Sequence, residues 1–187
     1  GDAKDAISCL GSALAIEPEN PLALVYLASA QLEQGNLEES NKNLDHALRI
    51  SPEMLRALLG KGKYYRKIGE PEIAVTWLRR VIQKDQKFLP ALMELGSVYL
   101  SLKRYDDAIA VLKEALSIDP EQPYALANMG DAYLEKKDYE NALYYYDKAV
   151  SIKFDDPELW IKKGDLHKTR KSYQQASNAY QKAINAN

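Results

Sequence analysis

Apolar positions along the chain recur with two periods at once. Within short stretches they fall three and four residues apart, the spacing that lines one face of an α-helix. Residues 89–122, LPALMELGSVYLSLKRYDDAIAVLKEALSIDPEQ, read as two such amphipathic helices joined by a short polar turn. Over a longer range the pattern returns every 34 residues. Gly96 falls in register with Ala28, Gly62, Gly130 and Gly164, and Ala108 with Ala6, Ser40, Ala74, Ala142 and Ala176. A third column joins Ala115 to Ala13, Ala47, Val81, Ala149 and Ala183. A small residue held at fixed phase over so many periods marks a structural repeat, and a two-helix repeat of this length predicts an all-α chain of about eleven helices.

The punctuation fits that division. Five units are expected at 21–54, 55–88, 89–122, 123–156 and 157–187, preceded by a half-unit at 2–20 that supplies only a second helix. The half-unit keeps phase so closely that a longer parent chain is expected. Asn20-Pro21 opens the first full unit with an N-cap residue and a proline in the first turn, where its missing N–H costs nothing. Gly35-Asn36 and Gly69-Glu70-Pro71 carry the turn chemistry of helix C-termini. Glycine inside a helix costs about 1 kcal/mol against alanine, so its recurrence at 62, 96, 130 and 164 requires a packing reason: close approach of the two helices of a unit. Leu58, Leu92, Leu126 and Trp160 are expected to fill the space that remains, and Tyr105, Tyr139 and Tyr173 to pack from the start of each second helix against the first.

The period, the Trp160–Gly164 spacing, the Ala142–Tyr146–Ala149 column and the closing Ile118-Asp119-Pro120 resemble the tetratricopeptide repeat family over essentially the whole chain. The resemblance implies a right-handed superhelical solenoid of antiparallel helix pairs, each unit packing mainly on its neighbours. Ser40, Val81 and Gln86 stand where the family has Ala, Ala and Pro, and Lys61 and Lys163 replace an apolar residue, so packing is expected to loosen there. The family pattern is one of packing residues and leaves function to the surface.

The resemblance also implies that the first helices line a concave groove that binds peptides. On that basis the candidate binding residues are Tyr26, Arg56, Lys63, Arg66, Lys67, Tyr124, Asn128 and Asp131. Positions 56, 63, 66 and 67 lie near whole turns apart, which puts four cations on one helical face. Positive charge concentrated there favours an acidic partner segment. Tyr26 and Tyr124 would be aromatic anchors, and Asn128 and Asp131 belong to a more acidic stretch. The family's chaperone-tail clamp is not expected, because Val25, Ser29, Leu59, Met93 and Ser97 occupy positions where it needs Lys, Asn or Arg. An asparagine ladder fails as well, with Tyr26, Gly60, Glu94 and Lys162 in the column of Asn128.

Composition narrows the remaining classes. A net charge of −2 gives no overall electrostatic reason to expect nucleic acid, and the apolar runs are too short and too often interrupted by charge to insert in a membrane. No charged segment followed by an apolar run opens the sequence, so a cytoplasmic location is favoured. Cys9 is the single cysteine and cannot form an internal disulfide. His46 and His167 are far apart and at different phases; His167 falls in the tyrosine column of Tyr65, Tyr99 and Tyr133, which points to packing. No Cys/His cluster has metal spacing, no glycine loop could cradle a phosphate, and Tyr144-Tyr145-Tyr146 point different ways on a helix. The sequence therefore predicts a protein–protein interaction scaffold with no cofactor and no catalysis. Two alternatives remain: homo-oligomerisation through the terminal helices, whose Ile7, Leu10, Leu14, Tyr173, Tyr180 and Ile184 lack a covering helix, or a regulatory segment of a larger enzyme.

Overall fold

The 34-residue rhythm becomes a train of helices in a computed structural model that describes residues 2–186, with side chains from 4 onward. Gly1, and Asn187 at the end of the expected fifth unit, lie outside the described residues. Among the described residues there are eleven helices and no strand: α1 (Asp2–Ile16), α2 (Pro21–Glu33), α3 (Leu37–Ile50), α4 (Leu55–Lys67), α5 (Pro71–Lys84), α6 (Leu89–Ser101), α7 (Tyr105–Ile118), α8 (Pro123–Glu135), α9 (Tyr139–Ile152), α10 (Pro157–Thr169) and α11 (Tyr173–Asn185). The fold is an all-α solenoid of antiparallel helix pairs. It divides into two compact units, one up to Glu94 and one from Leu95, with the boundary inside α6.

Helix ends follow from local chemistry. Pro21, Pro71, Pro123 and Pro157 occupy the first turns of α2, α5, α8 and α10. The Asn20 side chain accepts the Ala23 N–H at 3.0 Å, and Asp156 accepts that of Glu158 at 3.0 Å. Every first helix ends in a left-handed residue followed by a backbone bond that reaches back five positions, as from Asn36 to Gln31 and from Asp138 to Tyr133. Gly35 and Gly69 supply the left-handed residue in the first two turns, but Lys103, Lys137 and Lys171 supply it in the next three, at φ 58–62°.

In the first unit, Leu24, Val25, Ala28, Leu44, Ala47 and Ala57 form one buried cluster, closed by Leu14, Leu48, Met54 and Tyr64. In the second, Leu126, Val150, Leu159 and Trp160 form one cluster with Ala179 and Ala183, and Tyr146 and Leu166 anchor another. The recurrent glycines explain the pair geometry. A Cβ placed on Gly62 would lie 2.7 Å from Leu78, one on Gly96 2.7 Å from Leu112, and one on Gly130 2.6 Å from the Tyr146 ring. Each glycine therefore receives the large side chain sixteen residues later.

The departures at Ser40, Val81 and Lys163 are accommodated within the packing. Ser40 is buried and its hydroxyl donates to the Ala28 carbonyl at 2.7 Å. Val81 is fully buried. Lys163 is half-buried, pairs with Asp147 at 2.6 Å and lies over Trp160. The expectation for Tyr173 fails: Tyr139 packs beside Tyr146 and Tyr105 is half-buried, whereas Tyr173 is 67% exposed. Tyr105 is covered by the following pair, through a hydrogen bond to Glu135 of α8, and no described helix follows α11 to do the same.

Two glycine substitutions should separate packing from propensity. Gly130→Ala forces a Cβ into the Tyr146 ring, which is held by its own hydroxyl bond, so an overpacking cost of about 1–3 kcal/mol should exceed the gain of about 1 kcal/mol in helix propensity. Gly11→Ala meets nothing within 4 Å and should stabilise by about 0.5–1 kcal/mol. Urea unfolding of both variants checks the opposite signs.

Candidate functional site

Helix α4 carries five cationic side chains, and the fold sorts them by phase. Lys61 turns inward and is only 3% exposed. Its ammonium reaches Asp45 at 2.5 Å and Asn41 at 2.6 Å on α3, and it lies 5.9 Å from the ring centroids of Tyr64, Tyr65 and Trp77. Arg56, Lys63, Arg66 and Lys67 stay exposed.

Lys63, Arg66 and Lys67 form one wall of a half-enclosed cavity of about 220 Å³ in the first unit. Ser29, Leu32 and Glu33 of α2 form the opposite wall, and the floor is Ala28, Ser40, Leu44 and Gly60. Gly60 matters to the floor because the Leu44 side chain occupies the place its Cβ would take, with a carbon 2.5 Å from it. The cavity ends at Glu94 of α6, whose carboxylate accepts from Arg66 Nε at 2.5 Å. Glu94 and Glu33 offset two of the three cations, so the wall retains a single net positive charge. Lys63 and Lys67 have no ion-pair partner among the described residues, and Arg66 has one.

The other candidate residues are placed apart from this cavity. Arg56 is on α4 but does not line it, and Tyr26, 45% exposed on α2, lies outside it too. Tyr124, Asn128 and Asp131 belong to α8 in the second unit. The Tyr124 hydroxyl donates to Asp156 at 2.6 Å and accepts from Lys153 at 2.6 Å, and the same ammonium sits 4.8 Å from the Tyr124 ring centroid. Burial opposes ionisation of Asp156, but bonds from Tyr124, Lys153 and the Glu158 N–H together outweigh it and hold the carboxyl below its ordinary value. Asp131 has both oxygens engaged, one by the Tyr146 hydroxyl at 2.5 Å and one by Lys162 at 2.7 Å. Burial and then this carboxylate push the Tyr146 phenol far above its usual value. Asp165 accepts from Tyr180 at 2.7 Å, and that bond raises the phenol to about 12. The acidic stretch seen in the sequence is thus largely occupied by contacts within its own unit. Asn128 is half-buried and makes no side-chain hydrogen bond among the described residues.

Charge counting alone missed the roles of Gly60, Leu44, Ser40 and Glu94. One signal was present: Gly60 interrupts a column otherwise filled by Tyr26, Glu94, Asn128 and Lys162, and a missing side chain in a column is a place where space can open. His46 is half-buried on α3. His167 is half-buried in its aromatic column, and burial, then nearby Lys163, lowers its imidazole below the ordinary value. No cluster of His, Cys, Asp and Glu among the described residues could hold a metal ion, and no described helix is long and apolar enough to cross a membrane.

Models described as tetratricopeptide repeat match residues 1–42, 30–87, 123–156 and 157–187, and one described as TPR repeat matches 96–137. The chain belongs to the tetratricopeptide repeat family. Among solved structures it is similar to a thermophilic TPR protein of Thermus thermophilus, with 25% identity, 89% of this chain and 91% of that one covered, and a TM-score of 0.80. PilF of Pseudomonas aeruginosa shows 24% identity over 89% of this chain and 76% of its own, also with a TM-score of 0.80. Cut9–Hcn1, an APC/C hetero-tetramer, shows 16% identity over 100% of this chain and 37% of that one, with a TM-score of 0.89. No curated protein matches the sequence. A tetratricopeptide solenoid is a protein-interaction scaffold in its general role, typically without catalysis, and this chain has that architecture.

Two substitutions test how the buried charge on α4 is held. Lys61 sits in a column with Leu27, Leu95 and Met129, so Lys61→Met should change stability by less than about 1 kcal/mol, since a well-packed apolar residue can replace a buried ion pair at little cost. Asp45→Ala leaves the ammonium buried with Asn41 alone and should cost about 1–2 kcal/mol, discounted because Asp45 is half exposed. Chemical denaturation of both gives the comparison.

His167 provides a pH test. Its folded-state proton affinity is below the unfolded one, so it contributes stability above its unfolded value near 6.5, and that stability is lost as pH falls from there through the lowered folded value. His167→Tyr should flatten the decline in unfolding free energy between about pH 7.5 and 5. Urea titrations across that range check it.

Proposed function

We propose that the chain is a non-catalytic scaffold whose first unit binds an acidic segment of a partner protein between α2 and α4. The observation that carries this reading is the pair Lys63 and Lys67, one turn apart at the rim of a half-enclosed cavity, with no carboxylate of their own. Several other lysines are committed within the chain. Lys61, Lys84, Lys136, Lys153, Lys162 and Lys163 each meet an acidic side chain. Unpaired ammonium groups beside a concave apolar surface can form charge-assisted hydrogen bonds without first breaking an internal pair. Arg56 extends the same exposed face toward the start of α4, and Tyr26 offers an exposed ring on α2.

The groups with strongly shifted proton affinity support a structural role over a chemical one. Tyr146, Tyr180 and Lys153 are each engaged in a hydrogen bond that ties one helix to another or to an adjoining turn. Structural hydrogen-bond and ion-pair networks perturb proton affinity in this way as well.

Panning a random dodecapeptide library against the protein and a Lys63→Glu/Lys67→Glu variant tests the reading. Selected peptides should be enriched in Asp and Glu and should bind the variant at least tenfold more weakly, since each charged hydrogen bond contributes about 1.5–3 kcal/mol. Circular dichroism should show both proteins equally helical. Selected peptides without acidic enrichment, or equal binding to both proteins, would exclude the proposal.

A further inference from the structure

The cavity beside Lys63 and Lys67 has an apolar half that charge recognition alone does not use. Its floor is Ala28 and Leu44, flanked by Leu32, with the bare backbone of Gly60 beside the Leu44 side chain that fills the place of its Cβ. At about 220 Å³ it is smaller than the roughly 300–1,000 Å³ usual for a drug-sized ligand or cofactor. That volume suits one or two amino-acid side chains of a peptide.

Distance along α4 then relates the two halves. The midpoint of Lys63 and Lys67 lies about 7.5 Å along the helix axis from Gly60, at 1.5 Å rise per residue. In an extended peptide, side chains on one face recur every second residue, about 6.6–6.8 Å apart. An apolar residue against Gly60 and Leu44 therefore brings the residue two positions away level with the stretch of α4 between Lys63 and Lys67, within reach of their long side chains. Adjacent residues would point to opposite sides and could not fill both halves.

Glu94 shapes the third part of the wall. Its carboxylate already takes Arg66 Nε, so the guanidinium is partly satisfied from within the chain, while Lys63 and Lys67 remain for a ligand. Charge selection is thereby concentrated at one end of the cavity, away from Glu94.

We propose that the first-unit cavity is a two-part socket for an extended partner segment with the pattern apolar–any–acidic, in which a Leu- or Met-sized side chain rests against Leu44 and the Gly60 backbone and the acidic side chain bridges Lys63 and Lys67. This rests on the reading of the first unit as an acidic-segment site and adds the apolar residue and its spacing. Ser29, exposed on the α2 wall with its hydroxyl turned to the Val25 carbonyl, is the position from which the socket can be plugged without disturbing the core.

The test uses amide chemical shifts of the isotope-labelled full chain with blocked tripeptides as probes. Acetyl-Leu-Ala-Glu-amide should shift the amides of Gly60, Lys63 and Lys67 and bind five- to tenfold more tightly than either acetyl-Ala-Ala-Glu-amide or acetyl-Leu-Ala-Gln-amide. In a Ser29→Leu variant with an unchanged melting temperature, the advantage of Leu over Ala should disappear while the preference for Glu over Gln persists. If the Ala and Leu peptides bind the unaltered protein equally and both still require Glu, the socket is refuted and the acidic-segment reading stands. If Glu and Gln peptides are indistinguishable, or none shifts these amides, both proposals fall.

Discussion

The fold depends on how closely the two helices of each pair approach. Gly62, Gly96, Gly130 and Gly164 expose bare backbone to Leu78, Leu112, Tyr146 and Tyr180, which rest where a Cβ would be. That contact sets the pair geometry and brings the small residues of the second helices, such as Ala74, Ala108 and Ala142, into full burial. Dispersion at such contacts is weak per atom and large in sum. The arrangement also decides which positions remain outside. Once one face of α4 is committed to Leu58 and Gly62, the phase of 63, 66 and 67 is fixed toward the cavity and that of 61 toward α3.

Much of this was legible because a packing constraint repeated at one phase writes itself into the sequence as a column. The glycine and alanine columns identified the helix pairs, and Asn20-Pro21, Gly35-Asn36 and Gly69 marked their ends. The left-handed lysines 103, 137 and 171 were not legible. They occupy the phase of Gly35 and Gly69, yet lysine carries no turn signal, and a left-handed non-glycine residue costs about 1–2 kcal/mol. The backbone bonds that close the helix end hold them there, as from Arg104 to Tyr99 and from Ser172 to His167. Ser40 and Lys61 were misjudged as loosening packing because a column shows size and polarity but not partners. Ser40 finds the Ala28 carbonyl and Lys61 finds Asp45 and Asn41, in each case across the helix pair or from the pair before.

The candidate site was legible in part, for a related reason. The phase of Lys63, Arg66 and Lys67 on one helix is local information. Whether a charge is available depends on what lies 28 to 32 residues away, such as Glu94 beside Arg66 or Asp156 beside Tyr124. The solenoid makes this separation systematic, because one period along the chain is one step sideways between neighbouring helices. The first-unit cavity needed both kinds of information: Gly60 is visible as a gap in a column, but its effect appears only when Leu44 is seen lying on it.

Charges in this chain therefore divide by whether the repeat supplies them with a partner, and their number on a helix face says little. In the second unit Lys162 meets Asp131, Lys153 meets Asp156 and Lys136 meets Asp106, so part of the charge that the sequence shows there is already paired. A ligand there would have to compete with carboxylates already in place, and the hydrogen bonds gained would be offset by those broken. On α4, Lys63 and Lys67 face α2, where Ser29 and Leu32 occupy the nearer wall and Glu33 forms no bond to them among the described residues. A charge that remains unpaired there meets an incoming carboxylate without an internal pair having to break first. Other exposed cations among the described residues also lack a carboxylate partner, and it is the place of Lys63 and Lys67 at the rim of a half-enclosed cavity that distinguishes these two from them.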